Sequence, residues 1–119
     1  LWRPYHFIGL ELAQSIYAIS LKKQATGRTK FFKADVVSVA KKNLYKGEIL
    51  DGEGGFAVYG IGVSAKLSKK TKSLPLGLSD GARVKELIKK NEIITMDKVE
   101  VDYSSEITVA RDYQYKLLE

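Results

Sequence analysis

Eight of the ten glycines in this 119-residue chain fall between Gly47 and Gly81. No long helical period of apolar residues runs through that stretch, while Phe56, Val58, Ile61 and Val63 are strand formers set among the breakers. Such a middle folds as short strands linked by turns, because glycine is costly inside a helix and cheap where the backbone turns sharply. Just upstream, Phe31 to Lys41 carries Val36, Val37 and Val39 and reads as a strand. Leu44 to Asp51 reads as a turn and a short strand, with Gly47 in the left-handed position. Ser73 to Gly81, broken by Pro75, Gly77 and Gly81, reads as an ordered loop.

This middle contains an internal echo. Leu44-Tyr-Lys-Gly-Glu-Ile-Leu-Asp51 aligns with Ile88-Lys-Lys-Asn-Glu-Ile-Ile-Thr95, 44 residues later. Glu48 matches Glu92, Ile49 matches Ile93, and Gly47 matches Asn91. Glycine and asparagine take positive φ most readily, so both copies can make the same turn. An echo this short does not make a solenoid. It fits a small β-domain with two related halves.

Helices are expected on either side. Pro4 suits an opening helical turn, and Ile8, Leu12, Ile16 and Ile19 then form one apolar stripe. Phe7, Leu10, Tyr17 and Leu21 widen it to a surface that asks for a partner. At the other end, Tyr103, Ile107, Ala110, Gln114 and Leu117 or Leu118 share a face of a helix running from about Tyr103 to Leu118, with Asp102 as its N-cap. Gln24 to Lys30 reads as the linker. The expected architecture is α+β with a mainly β core: a helical segment over 1–23, a β-domain over 31–101 and a C-terminal helix over 102–119.

Composition narrows function by exclusion. With no Cys and one His, thiol chemistry, zinc fingers and iron–sulfur ligation are out, and no metal site is expected. No apolar run approaches the roughly 18 residues of a membrane span, and nothing looks like a signal peptide, so a cytoplasmic domain is expected. The formal charge of +6 is uneven: residues 20–90 carry +10 and residues 91–119 carry −4. Lys66, Lys69, Lys70 and Lys72 form the tight cluster. No aromatic is interleaved there as a stacking platform requires, so solvated Lys-rich loops are expected in preference to a nucleic-acid surface. The chain begins at Leu1 without an initiator Met, which suggests a piece of a longer protein.

Gly52-Glu-Gly54-Gly-Phe-Ala57 satisfies the letter of G-x-G-x-x-A. A dinucleotide fingerprint, however, needs a helix after it and an acidic residue about 20 positions on. Val58 to Val63 is strand-like instead, and the next acid after Glu53 is Asp80. What remains is a glycine-rich turn whose Asp51 and Glu53 alternate to one side. They are candidates for a hydroxylated ligand, a hard cation or a basic surface, against the alternative of an exposed turn. His6 stands at the mouth of the first helix with Glu11 five residues on, a candidate acid–base pair. No nucleophile–His–carboxylate arrangement can be assembled around it.

Arg3-Pro-Tyr-His6-Phe-Ile-Gly-Leu-Glu11, Ala34-Asp-Val36, Leu50-Asp-Gly-Glu-Gly-Gly-Phe-Ala-Val-Tyr-Gly60, Leu74-Pro-Leu-Gly-Leu78 and Asn91-Glu-Ile-Ile-Thr95 together span nearly the whole chain. In that order they resemble the C-terminal part of homoserine-dehydrogenase-like NAD(P)-dependent oxidoreductases that end in a SAF domain. The resemblance implies a SAF-type β-clip fold of two pseudo-symmetric halves with flanking helices. It implies Rossmann and catalytic domains upstream, which hold NAD(P) and transfer hydride to or from a small hydroxylated substrate. This region would hold no cofactor and be non-catalytic alone, completing the substrate site or building a homo-oligomer interface. Tyr5, His6 and Glu11 would lie where the catalytic and SAF domains join, with His6 and Glu11 as candidate catalytic residues and Tyr5 touching substrate. The alternative is a stand-alone SAF module that binds a sugar acid or polyol through Asp51, Glu53, Gly54 and Tyr59.

Overall fold

One strand organises the β core. In the computed structural model, which describes residues 8–27 and 31–116, β1 (Ala34–Ala40) pairs antiparallel along its whole length with β2 (Val58–Ser64). Its other edge is occupied as well, since Ser38 donates to the Leu74 carbonyl at 2.8 Å and Ala40 to that of Glu92 at 3.0 Å. Val37 to Ala40 are therefore buried on both faces, and small or apolar side chains occupy successive positions instead of alternating ones. After β2 come α2 (Ala65–Thr71), a 3₁₀ turn at Leu76–Leu78, β3 (Arg83–Val84), a second 3₁₀ turn at Met96–Lys98, β4 (Val99–Glu100) and α3 (Glu106–Lys116). β3 and β4 form a second antiparallel pair.

The echo of eight residues is the visible part of a longer pseudo-dyad. At its centre Leu44 and Ile88 exchange both backbone hydrogen bonds, at 2.9 and 3.0 Å. Shifting by 44 positions turns bonds of one half into bonds of the other. Gly47 donates to Val84 and Asn91 to Ala40, both at 2.8 Å; Leu50 donates to Ala82 at 2.8 Å and Ile94 to Ser38 at 2.9 Å. The matched segments are thus 38–50 and 82–94. Their buried side chains follow the same operation: Ala40 with Val84, Leu44 with Ile88, Leu50 with Ile94, all in one core cluster. Gly47 and Asn91 have φ of 92° and 67°, the shared left-handed turn.

The matched glutamates close those turns. Glu48 accepts the Tyr45 N–H and Glu92 the Lys89 N–H, each at 2.9 Å. Their cations differ, because the position equivalent to Lys42 is Glu86: Lys42 pairs with Glu48 at 2.9 Å, and Lys98 pairs with Glu92 from further along the chain. The Lys42 and Tyr45 contacts hold Glu48 below the ordinary carboxylate range, and the Lys98 and Lys89 contacts do the same for Glu92. A carboxylate whose folded pKa is depressed adds stability above its unfolded pKa and loses it as pH falls through the folded one. The melting temperature should accordingly drop steadily as pH falls below about 4. Glu48→Gln/Glu92→Gln should flatten that drop in a pH series of thermal melts; an unchanged slope would show that these two groups do not set it.

Two elements differ from the sequence expectation. The Lys-rich stretch expected as solvated loop is helix α2. Ser64 caps it by accepting the Leu67 N–H, and Lys72 at φ 50° ends it, with its N–H on the Lys69 carbonyl and that of Ser73 on Ser68. That pattern of bonds is a Schellman close. The helix buries Ala65 and Ser68, small residues that leave no apolar stripe to read. In α3 the expected Asp102 cap is replaced by Ser105, whose hydroxyl accepts the Thr108 N–H at 3.3 Å. Asp102 instead closes the preceding turn through Ser104. Ile107, Ala110 and Gln114 share one side of the helix as expected; Ile107 is 63% exposed, and Thr108 is the buried residue of the helix.

Leu1–Phe31 and Phe32–Glu119 are two compact units. In the first, α1 (Ile8–Lys22) ends in a turn tied by Gln24 N–H to the Ala18 carbonyl and by a Ser15–Thr26 hydroxyl contact at 3.0 Å. Leu12, Ile16 and Ile19 of its stripe are exposed, as are Tyr17 and Leu21.

Candidate functional site

Asp35 is a charge within a valine-rich strand, and a buried carboxylate needs partners. Two distant helices supply them. Ser68 of α2 donates its hydroxyl to Asp35 Oδ2 at 2.6 Å, and Arg111 of α3 forms an ion pair with the same oxygen. The other oxygen accepts the Val36 N–H at 3.0 Å. The Asp35 and Arg111 side chains are 6% and 14% exposed. The guanidinium lies 4.8 Å from the Phe32 ring centre and 4.5 Å from that of Tyr115. It also donates to the Tyr115 hydroxyl at 2.8 Å and to Gln114 Oε1 at 3.0 Å. A planar fork between two rings suits arginine and not lysine. This cluster fastens α3 to the β core.

Held there, α3 lines a cleft of about 790 Å³ with β1, β2 and the first 3₁₀ turn. Ile107, Ala110 and Gln114, expected from sequence to share one helix face, contribute one wall. Val36, Gly62, Leu76 and Leu78 contribute apolar surface opposite, with the Asp35–Arg111 pair alongside. Glu53 reaches the cleft from the glycine-rich turn. Its carboxylate and the Gln114 amide are the polar side-chain groups presented there apart from the buried ion pair.

The structure separates the other candidate residues. Asp51 is committed to its own turn: its two oxygens accept the Phe56 and Ala57 N–H groups, which hold its carboxyl below the ordinary range. The turn needs glycine at position 55, where an added Cβ would collide with that carboxylate. Gly54 shapes the same turn at φ 80°. Tyr59 sits on β2 opposite Val39 and is absent from the cleft lining. Asp51, Glu53 and Tyr59 therefore do not converge on the cleft; Glu53 reaches it alone. Glu11 is in the first turn of α1, while Tyr5 and His6 lie outside the described residues. The residues following Gly52–Ala57 form β2, not the helix a dinucleotide turn requires. Arg111 and Gln114 escaped sequence reasoning, although the charge at Asp35 in an apolar strand was a signal that some cation must meet it.

The SAF domain model matches residues 35–100, from Asp35 of β1 to Glu100 of β4 and more than half the chain. The chain belongs to the SAF domain family. Its fold is the SAF-type β-clip in an α+β chain, with α1 before and α3 after the matched span. No curated protein matches the chain. The matched span contains the pseudo-dyad, both strand pairs and α2. Arg111 thus reaches Asp35 from outside the SAF match, so the cleft is built jointly by the SAF domain and the helix that follows it. Among the described residues, no group of three His, Cys, Asp or Glu is placed to hold a metal ion. No described helix is long and apolar enough to cross a membrane.

Proposed function

We propose that this SAF domain is an accessory unit of a homoserine-dehydrogenase-like NAD(P)-dependent oxidoreductase, non-catalytic alone, which helps complete the substrate site or build the oligomer. The observation that carries this reading is the character of the cleft. It has broad apolar walls, and Glu53 and Gln114 are its polar groups beyond an ion pair already satisfied. Such a lining can cover and orient a small hydroxylated molecule, while acid–base or nucleophilic chemistry needs a base and a reacting partner within hydrogen-bond reach. The resemblance of the chain supplies the oxidoreductase part of the proposal, with Tyr5, His6 and Glu11 at the junction with a catalytic domain and NAD(P) held upstream. Calorimetric titration of the 119-residue chain with NADPH should show no binding heat. Micromolar affinity would overturn the accessory assignment.

The second reading is a stand-alone module for a sugar acid or polyol. It is favoured by one feature, the placement of Glu53 and the Gln114 amide at the same cleft, where they can accept and donate hydrogen bonds to hydroxyl groups. A saturable thermal shift with a sugar acid, lost in Glu53→Gln, would put this reading ahead. No shift with any sugar acid or polyol leaves the accessory role in front.

A further inference from the structure

Arg111 also lines a second cavity, of about 440 Å³, between the end of α2 and α3. Its charge is unlike that of the cleft. Beyond the Arg111–Asp35 pair, Lys69, Lys72 and Lys116 line it, and Asp112 is the carboxylate among its described lining residues. The remaining walls are flat or apolar: Tyr103 and Tyr115, with Leu78 and Met96. Its serine and threonine hydroxyls are already engaged. Ser68 donates to Asp35, Thr108 donates to the Asp102 carbonyl at 2.9 Å, and Ser73 shares a hydrogen bond with Thr71 at 2.7 Å. A neutral polyol would find those hydroxyls engaged, whereas an oxyanion meets a surplus of cations. Lys72 stands at the rim in the left-handed conformation, at φ 50°. Asparagine or glycine would adopt it at lower cost, so the backbone turn alone does not account for a lysine there.

We propose that this cavity binds a small organic oxyanion, a carboxylate or phosphate ester borne on a flat ring. The ring would lie against Tyr103 and Tyr115, with the charged group toward Lys72 and Lys116. The volume falls within the range of small-molecule sites, and hydrogen bonds between ions are the strong ones. This site differs from the cleft in position, charge and ligand, and it does not depend on the oxidoreductase reading.

The test is an amide NMR titration of the 119-residue chain with phenyl phosphate, benzoate and the neutral benzyl alcohol. The expected result is saturable shifts at Lys72, Ser73, Thr108 and Tyr115 with at least one of the two anions. Benzyl alcohol should bind at least about tenfold more weakly. Saturation with phenyl phosphate alone assigns the site to phosphate esters, with benzoate alone to carboxylates, and with both to oxyanions generally. Lys72→Asn/Lys116→Gln should weaken the anion about tenfold or more. Asn retains the left-handed turn, and an undisturbed spectrum of the free variant shows that the fold is intact. Lys69 is left in place. Equal affinity for benzyl alcohol, shifts mapping elsewhere, no saturation, or unchanged affinity in the double variant would each overturn the proposal.

Discussion

Arg111→Met should lower the unfolding free energy of this chain by about 3–5 kcal/mol, the usual cost of leaving one partner of a buried ion pair uncompensated. The variant keeps most of the side-chain volume between Phe32 and Tyr115 but orphans the Asp35 carboxylate and the oxygen that Ser68 also serves. Urea denaturation followed by circular dichroism measures the change. Removing the whole buried group, in Asp35→Leu/Ser68→Ala/Arg111→Met, should recover at least half of the loss, because apolar residues of similar volume replace a buried ion pair at little or no cost. A loss below about 1 kcal/mol for Arg111→Met would mean that α3 is not held by this pair. The cleft would then lack its anchored wall.

The second large effect belongs to the centre of the pseudo-dyad. Leu44→Ala and Ile88→Ala should each cost about 2–5 kcal/mol, as expected for truncating a fully buried aliphatic side chain. The two costs should resemble each other, since the pair exchanges both backbone hydrogen bonds and shares one core. Against a total stability of about 5–15 kcal/mol, the double variant should be largely unfolded. Ile49→Ala is the control: it belongs to the same echo but is exposed, and it should cost about 0.5 kcal/mol or less. Equal losses at Ile49 and Leu44 would place the core elsewhere.

The candidate site was less legible than the fold. Asp51 and Glu53 look equivalent in sequence, one residue apart on a turn, yet Asp51 is consumed by two N–H groups while Glu53 reaches the cleft. Which of two neighbouring carboxylates folds back depends on the turn that Gly55 leaves room for, and no residue type announces that. Helix α2 was hidden for a related reason. Its buried positions are Ala65 and Ser68, and small residues carry no apolar period. Which residue of α3 is buried was not legible, because Ile107 outranks Thr108 in hydrophobicity, whereas a buried charge on β1 decides how the helix is turned.

By itself the sequence determined where the backbone must turn and where it must extend. The eight clustered glycines, the β-branched runs and the Gly47–Asn91 match were enough for a β core with two related halves, because positive φ and strand preference are properties of single residues and their spacing. The tertiary structure alone decided what those halves hold. Asp35, Ser68 and Arg111 are separated by 33 and 43 residues in the chain; the cleft exists only once α3 meets that charge, and the cationic cavity only once α2 does as well. A buried ion selects its partners by distance in space, and that distance is set by the folded chain.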